Sequence, residues 1–265
     1  MNIPFLKPKT SGPRVLTVKA AWHLTPHMIR VTFAGPEIDS IRPGCEGANC
    51  KLMMPEVGET RTEFETRLAS GEKVTRRTYT VRHLRADVQE MDIDFVDHGN
   101  SGPASAWANR ARPGDFIGFA GPGPVKVADY DADYYLVAAD SSAIPVAAAT
   151  LEAMPRDAKG IAIFEVPSEA DRQEIDAPKG IDMRWLIHAV PTQSSPAQED
   201  LIRSLNWPSG KVQTCIAGES GVIKSLRGYL RTEKQIPKEN LYISGYWKIG
   251  LIEDEHQAMK RAEAT

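Results

Sequence analysis

The chain has 265 residues, enough for two domains with a core each. Its 42% hydrophobic and 25% charged residues are ordinary for a globular protein, and no apolar run approaches the length of a membrane span. The formal net charge of −3 comes without the concentrated basic face that a nucleic-acid partner requires.

In chain order, residues 1–12 read as a loose Pro- and Lys-bearing arm. Strand-like runs follow at 14–22 and 27–34, separated by Leu24-Thr25-Pro26, and a third lies at 49–54. The Glu-rich stretch 56–74 has few apolar anchors and reads as a mobile loop with at most a helical turn. Strands at 76–84 and 89–96 bracket a turn at Arg85-Ala86-Asp87. A helix covers 104–111, and a strand at 115–120 closes the set. Six short antiparallel strands and one helix predict a small closed barrel within residues 1–128. That half holds 17 Lys/Arg against 14 Asp/Glu, a balance suited to an anionic cofactor.

The rhythm changes near Tyr130. Continuous apolar strands are predicted at 134–139, 160–166, 183–189, 211–217 and 240–245, with helices at 143–154, 196–205 and 220–231. Strands apolar on both faces, alternating with helices, call for a mostly parallel sheet covered on both sides. Residues 129–265 are therefore expected to form a doubly wound α/β domain. Cys45, Cys50 and Cys215 have no zinc or iron–sulfur spacing and read as buried or idle thiols, a Cys45–Cys50 disulfide being the alternative. No metal site is expected.

The chemistry concentrates in four pieces. Arg77-Thr78-Tyr79-Thr80-Val81-Arg82 is strand-like, with Arg77 and Tyr79 on one face. A guanidinium fork beside an aromatic ring suits a ligand carrying phosphate and a flat π-system. His98-Gly99-Asn100-Ser101-Gly102-Pro103-Ala104-Ser105 supplies a helix start, with Ser101 as the expected N-cap, whose backbone N–H groups can hold pyrophosphate. Pro113-Gly114-Asp115 and Gly121-Pro122 complete the series. Together these describe a dinucleotide site.

The series resembles the flavin-binding barrel of the ferredoxin-reductase-like superfamily. With Ala217-Gly218-Glu219 and Gly245-Tyr246-Trp247-Lys248 added, the chain resembles the siderophore-interacting proteins, FAD-containing ferric-siderophore reductases, over about residues 14–256. The resemblance implies FAD held by Arg77, Tyr79, Thr80, Val81, His98 and the Gly102, Pro103, Ala104 and Ser105 helix start. It also implies a C-terminal segment that returns to the flavin, with Trp247 near the ring. His98 is read either as a cofactor ligand or as a structural histidine. Lys51, Lys126 and Lys248 are candidates for a basic pocket that attracts an anionic ferric siderophore.

For the electron donor, NAD(P)H or reduced ferredoxin, the candidate nucleotide residues are Ser142, Glu219, Arg227 and Arg231. The last two are spaced four apart for a 2′-phosphate. The G-x-G-x-x-G fingerprint is absent, and Ala139, Ser141 and Ser142 depart from the family's usual first turn. No general acid or base is required, because flavin chemistry passes electrons singly to Fe(III). The expected function is a cytoplasmic ferric-siderophore reductase. The alternatives are another flavin oxidoreductase or electron-transfer protein on this scaffold, and a non-catalytic ferric-siderophore binder.

Overall fold

The structure, a computed structural model, describes residues 13–264; the arm expected at 1–12 lies outside them. Seven antiparallel strands form the first sheet: β1 (Arg14–Thr25), β2 (Met28–Ala34), β3 (Asn49–Met53), β4 (Arg76–Thr80), β5 (His83–Arg85), β6 (Glu90–Val96) and β7 (Phe116–Ala120). Their order is β4-β3-β7-β1-β2-β6-β5. The single strand expected at 76–84 is divided into β4 and β5, which accounts for seven strands rather than six. The division falls where the chain changes partner. Val81 N–H donates to Ala48 O, at the β3 edge, and Arg82 N–H to Asp92 O, at the β6 edge. One continuous stretch thus joins both edges and closes the barrel around Leu16, Phe33, Leu52, Phe95, Ile117 and Phe119, all fully buried.

Two helices decorate the barrel. The stretch expected to be a loop carries α1 (Arg61–Ser70), started by a reciprocal capping box between Thr60 and Glu63 and stopped by left-handed Gly71. Phe64, its one buried residue, packs on Val15, Met53 and Phe116. The second helix, α2 (Pro103–Arg110), precedes β7.

The second sheet is wholly parallel, in the order β10-β9-β8-β11-β12. Its strands are β8 (Tyr134–Asp140), β9 (Lys159–Val166), β10 (Gly180–Ile187), β11 (Val212–Glu219) and β12 (Leu241–Trp247). One face is covered by α3 (Ile144–Ala153), the other by α4 (Ala197–Ser204) and α5 (Ser220–Gly228), so the sheet is doubly wound. Helix α5 passes into a π-helical turn, Tyr229–Glu233. A last helix, α6 (Glu253–Ala264), follows β12.

Every residue of α3 from Ile144 to Leu151 is buried, because the helix is sandwiched between the sheet and the barrel. Gly47, at φ +79°, comes so close that a Cβ on it would lie 3.4 Å from Ala149 Cβ. The Arg82 guanidinium pairs in a fork with Glu152 of α3, at 2.6 and 2.7 Å, and ties the two halves together. Asp171, between β9 and β10, does the same by accepting from His27 N–H at 2.9 Å and from its ring at 2.8 Å.

Candidate functional site

Tyr79 is where the barrel's seam opens. Its ring meets Phe95 of β6 at 4.4 Å between centroids, and Phe95 in turn meets Trp107 of α2 at 5.8 Å. This row of rings fixes β4, β6 and α2 side by side. Burial, reinforced by the nearby Glu253 carboxylate, pushes the Tyr79 hydroxyl well above its usual pKa, so it stays neutral.

Arg77 makes one hydrogen bond, to Arg76 O at 2.9 Å. Its ion pairs with Glu253 and Asp254 of α6 are looser, at 3.6 and 3.7 Å. Thr80 is buried close to the Tyr246 side chain of β12. Val81 is fully buried in the barrel core, its N–H and C=O bonded to Ala48 and Gly47. Its contribution is to closing the barrel.

The loop before α2 is built on Asp97, which the sequence reading did not single out. Its carboxylate accepts from Gly99 N–H (2.8 Å) and Asn109 (2.6 Å) and lies 3.2 Å from Ser105 Oγ, and its second oxygen lies 2.9 Å from His23 Nε2. Burial pushes this carboxyl up, but the bonds from His23, Asn109 and Gly99 outweigh it and hold it at about 2. An acid two residues before a glycine is an Asx-turn signal, visible in Asp97-His98-Gly99.

Ser105 Oγ donates to Gly99 O at 2.7 Å, so its side chain serves the loop. The N-cap of α2 is Gly102 rather than the expected Ser101, whose hydroxyl is spent on His98 O at 2.8 Å. The His98 ring lies over this glycine, where a Cβ would sit 2.9 Å from His98 Cε1, the far end of an exposed side chain. The first helical bond runs from Ala106 N–H to Gly102 O. Pro103 has no N–H, so the Ala104 and Ser105 N–H groups are left without an intrahelical acceptor. No side chain caps them, and no acid occupies the first turn. Uncapped N–H donors, a lightly committed guanidinium and an aromatic ring are the kinds of group that fit the diphosphate and ring system of FAD.

Across the junction, the carboxyl edge of the parallel sheet carries acids. Asp140 is half-buried and accepts from Ser142 N–H (2.9 Å), Ser142 Oγ (2.6 Å) and Trp247 Nε1 (2.7 Å). Burial raises its pKa against those bonds. Gly218, at φ +153°, makes room for it, a Cβ there lying 2.7 Å from Asp140 Oδ2. Trp247 is thus held by Asp140. Glu219 closes the start of α5, accepting from Gly221 and Val222 N–H at 2.5 and 3.1 Å, and holds Ile249 N–H at 3.3 Å.

Glu165, at the end of β9, accepts from Ser195 Oγ at 2.7 Å, and burial raises its pKa. Arg227 donates to Ile243 O at 3.1 Å, and Arg231 is exposed in the π-helical turn. The α-to-π junction lies between these two. The three lysines are placed differently. Lys51 Nζ donates to Thr78 Oγ1, which donates to Glu253 Oε1 at 2.9 Å, while Lys248 Nζ lies 3.3 Å from Met259 Sδ. Both therefore meet α6 or its partners. Lys126 is exposed in the segment after β7.

Among the described residues no cluster of acids, histidines or cysteines is placed to hold a metal ion, and the three cysteines are buried free thiols. No described helix is long and apolar enough to cross a membrane.

Two family models match the chain: the siderophore-interacting FAD-binding domain over residues 17–126 and the siderophore-interacting protein model over residues 132–250. The ferric vibriobactin reductase of Vibrio cholerae is 32% identical over 253 residues, covering 92% of each chain. The crystal structure of a siderophore-interacting protein from Aeromonas hydrophila superposes with a TM-score of 0.82 at 29% identity, covering 97% of this chain and all of that one. A ferredoxin–NADP+ reductase from Plasmodium falciparum shares the fold, with a TM-score of 0.62 at 12% identity over 88% of this chain and 96% of its own.

Proposed function

Because the chain belongs to the siderophore-interacting protein family and carries its FAD-binding domain, we propose that it is a cytoplasmic ferric-siderophore reductase. Its electrons come from NAD(P)H or reduced ferredoxin, and iron leaves the chelate as Fe(II). The two working units are residues 1–128, which hold FAD, and residues 129–265, which face the donor. The observation that carries this reading is the pairing of Arg77 and Tyr79 on β4 with the uncapped start of α2, joined through Phe95 and Trp107.

When bound, FAD accepts an electron pair and releases electrons one at a time. The chain's own residues supply binding and placement. Arg77 and the N–H groups of Ala104 and Ser105 hold the diphosphate, and Asp97 keeps the 97–105 loop in shape for them. Tyr79, neutral throughout the working pH range, offers its ring, and Thr80 lies close to Tyr246. Lys51 and Lys248 line the approach of an anionic chelate, with Lys126 at the rim. No residue is required to move a proton for Fe(III) to accept an electron. Fe(II) is bound less tightly by hard oxygen donors, so reduction itself loosens the chelate.

The test is a visible absorption spectrum of the purified protein followed by anaerobic photoreduction. Addition of a ferric siderophore is expected to restore the oxidised flavin bands as an Fe(II) indicator develops colour. Reduced flavin that no ferric chelate reoxidises would overturn the assignment.

A further inference from the structure

The order β10-β9-β8-β11-β12 is the 3-2-1-4-5 arrangement of a dinucleotide-binding sheet, with its switch point between β8 and β11. In such sheets an acid following the first strand–helix unit hydrogen-bonds the adenosine ribose 2′-hydroxyl, whereas a nearby arginine accommodates a 2′-phosphate. Here the second strand, β9, ends in Glu165-Val166. One Glu165 oxygen is pinned by Ser195 Oγ at 2.7 Å, and the other accepts no hydrogen bond among the described residues. The carboxylate is therefore oriented but half uncommitted, as a ribose acceptor must be.

No lysine or arginine among the described residues is placed beside it to receive a phosphate, and His188, whose ring is near enough to act on the carboxylate, has its Nε2 committed to Gln193 O at 3.0 Å. The run after β10, residues 188–202, contains no Lys or Arg. Arg172, the guanidinium nearest in sequence, pairs with Glu169 at 2.6 Å and lines the cleft toward the barrel with Arg82 and Glu152. Arg227 lies seven positions along α5 from the carboxyl edge, roughly 10 Å at 1.5 Å per residue, and is bonded to mid-strand Ile243 O. Arg231 lies further still. Asp140 is close enough to raise the Glu165 pKa, and Glu219 already fills the start of α5. A 2′-phosphate at this edge would meet carboxylates, with only the His188 ring, already bonded to Gln193 O, beside them among the described residues.

Building on the reductase reading above, we propose that the pyridine dinucleotide serving this protein is NADH rather than NADPH. Glu165 selects it by accepting from the ribose 2′-hydroxyl and repelling a 2′-phosphate. Ser195 is the positioning residue that holds the Glu165 carboxylate in place.

The test is calorimetric titration of the FAD-loaded protein with NAD+ and with NADP+, beside anaerobic flavin reduction by NADH and NADPH. NAD+ is expected to bind more tightly by about tenfold or more, the scale of one uncompensated like-charge contact. Glu165→Gln is expected to narrow that ratio by a similar factor at unchanged flavin content. Should Glu165→Gln lose flavin, Ser195→Ala takes its place and is expected to weaken NAD+ several-fold without improving NADP+. Equal or reversed preference in the native protein would overturn the proposal. So would a Glu165→Gln variant that weakens both nucleotides alike, a Ser195→Ala variant with native NAD+ affinity, or binding of neither nucleotide. Photoreduction followed by ferric chelate reports on the reductase reading alone, so the two can fail separately.

Discussion

Arg77 sits at the seam with its charge answered by Glu253 and Asp254 but with only one hydrogen bond made, to a neighbouring carbonyl. Its fork is therefore available to a diphosphate at little structural cost. Hydrogen bonds to charged groups contribute about 1.5–3 kcal/mol, so Arg77→Ala is expected to weaken FAD binding roughly 10- to 150-fold. Arg77→Lys should fall between, keeping the charge but not the paired donors. The melting temperature without added flavin should hardly move in either variant. Equilibrium dialysis of FAD against each protein decides the matter, and unchanged affinity in Arg77→Ala would remove Arg77 from the site.

Asp97 gives a pH-dependent counterpart. Its pKa is held at about 2 in the fold, below an unfolded value of about 3.9. A depressed carboxyl stabilises the fold above the unfolded value and loses that contribution as pH falls through the folded one. The stabilisation, on the order of 2 kcal/mol, is thus complete above about pH 4 and fades toward pH 2. Asp97→Asn is expected to lower stability at neutral pH by that order and to flatten the acid limb between those values. Denaturant melts at pH 7, 4 and 2.5 check the sign. An acid limb identical in both proteins would show that the loop does not depend on this carboxylate.

At the scale of elements, α2 shows what a helix start must be in order to hold an anion. Gly102 leaves its first turn uncapped and lets His98 close over it. Gly102→Ala would place a Cβ 2.9 Å from His98 Cε1, turning the exposed His98 ring away from the first free N–H groups. The backbone there is extended, at φ −141°, so alanine itself is not strained. The expected result is several-fold weaker FAD binding with a stability loss within about 0.5 kcal/mol, the range of surface substitutions. Isothermal titration with FAD and a thermal melt separate the two effects.

The same elements show what could be read in advance. Strand and helix positions in the second half followed from apolar runs, because a sheet covered on both faces leaves its signature in every residue of a strand such as Val212–Ala217. Helix α1 was hidden by its composition: a single buried Phe64 gives no periodic stripe, although the Thr60-x-x-Glu63 capping box was there to be seen. The exchange of partner at Val81-Arg82 left no local mark, since it is set by which strands lie on either side. Arg77, Tyr79 and the Gly102 helix start could be put forward as a site because they lie within short motifs. Asp140 and Glu253 could not, since their partners, Trp247 and Thr78, are distant in sequence and meet them only through topology.

For the whole molecule, the question is what makes a barrel and an α/β sheet behave as one body. Arg82 answers part of it. Only 4% of its side chain is exposed, its terminal nitrogens fork onto Glu152 of α3, and its Nε has no acceptor among the described residues. Removing one partner of such a pair strands a buried charge, which costs about 3–5 kcal/mol, whereas replacing both by apolar groups is often neutral. Glu152 is 29% exposed, so water can partly answer the cation, and Glu152→Gln is expected near the lower end, about 3 kcal/mol. Arg82→Met combined with Glu152→Leu should recover most of that loss, and it also deletes the orphaned Nε. Urea melts of the three proteins make the comparison. A Glu152→Gln loss within about 0.5 kcal/mol, the range of ordinary surface substitutions, would mean that the halves are joined by α3 packing against Gly47 instead. A double variant no better than the single would mean that the fork fixes the angle between the halves, because shape-matched apolar side chains would then have failed to restore the junction.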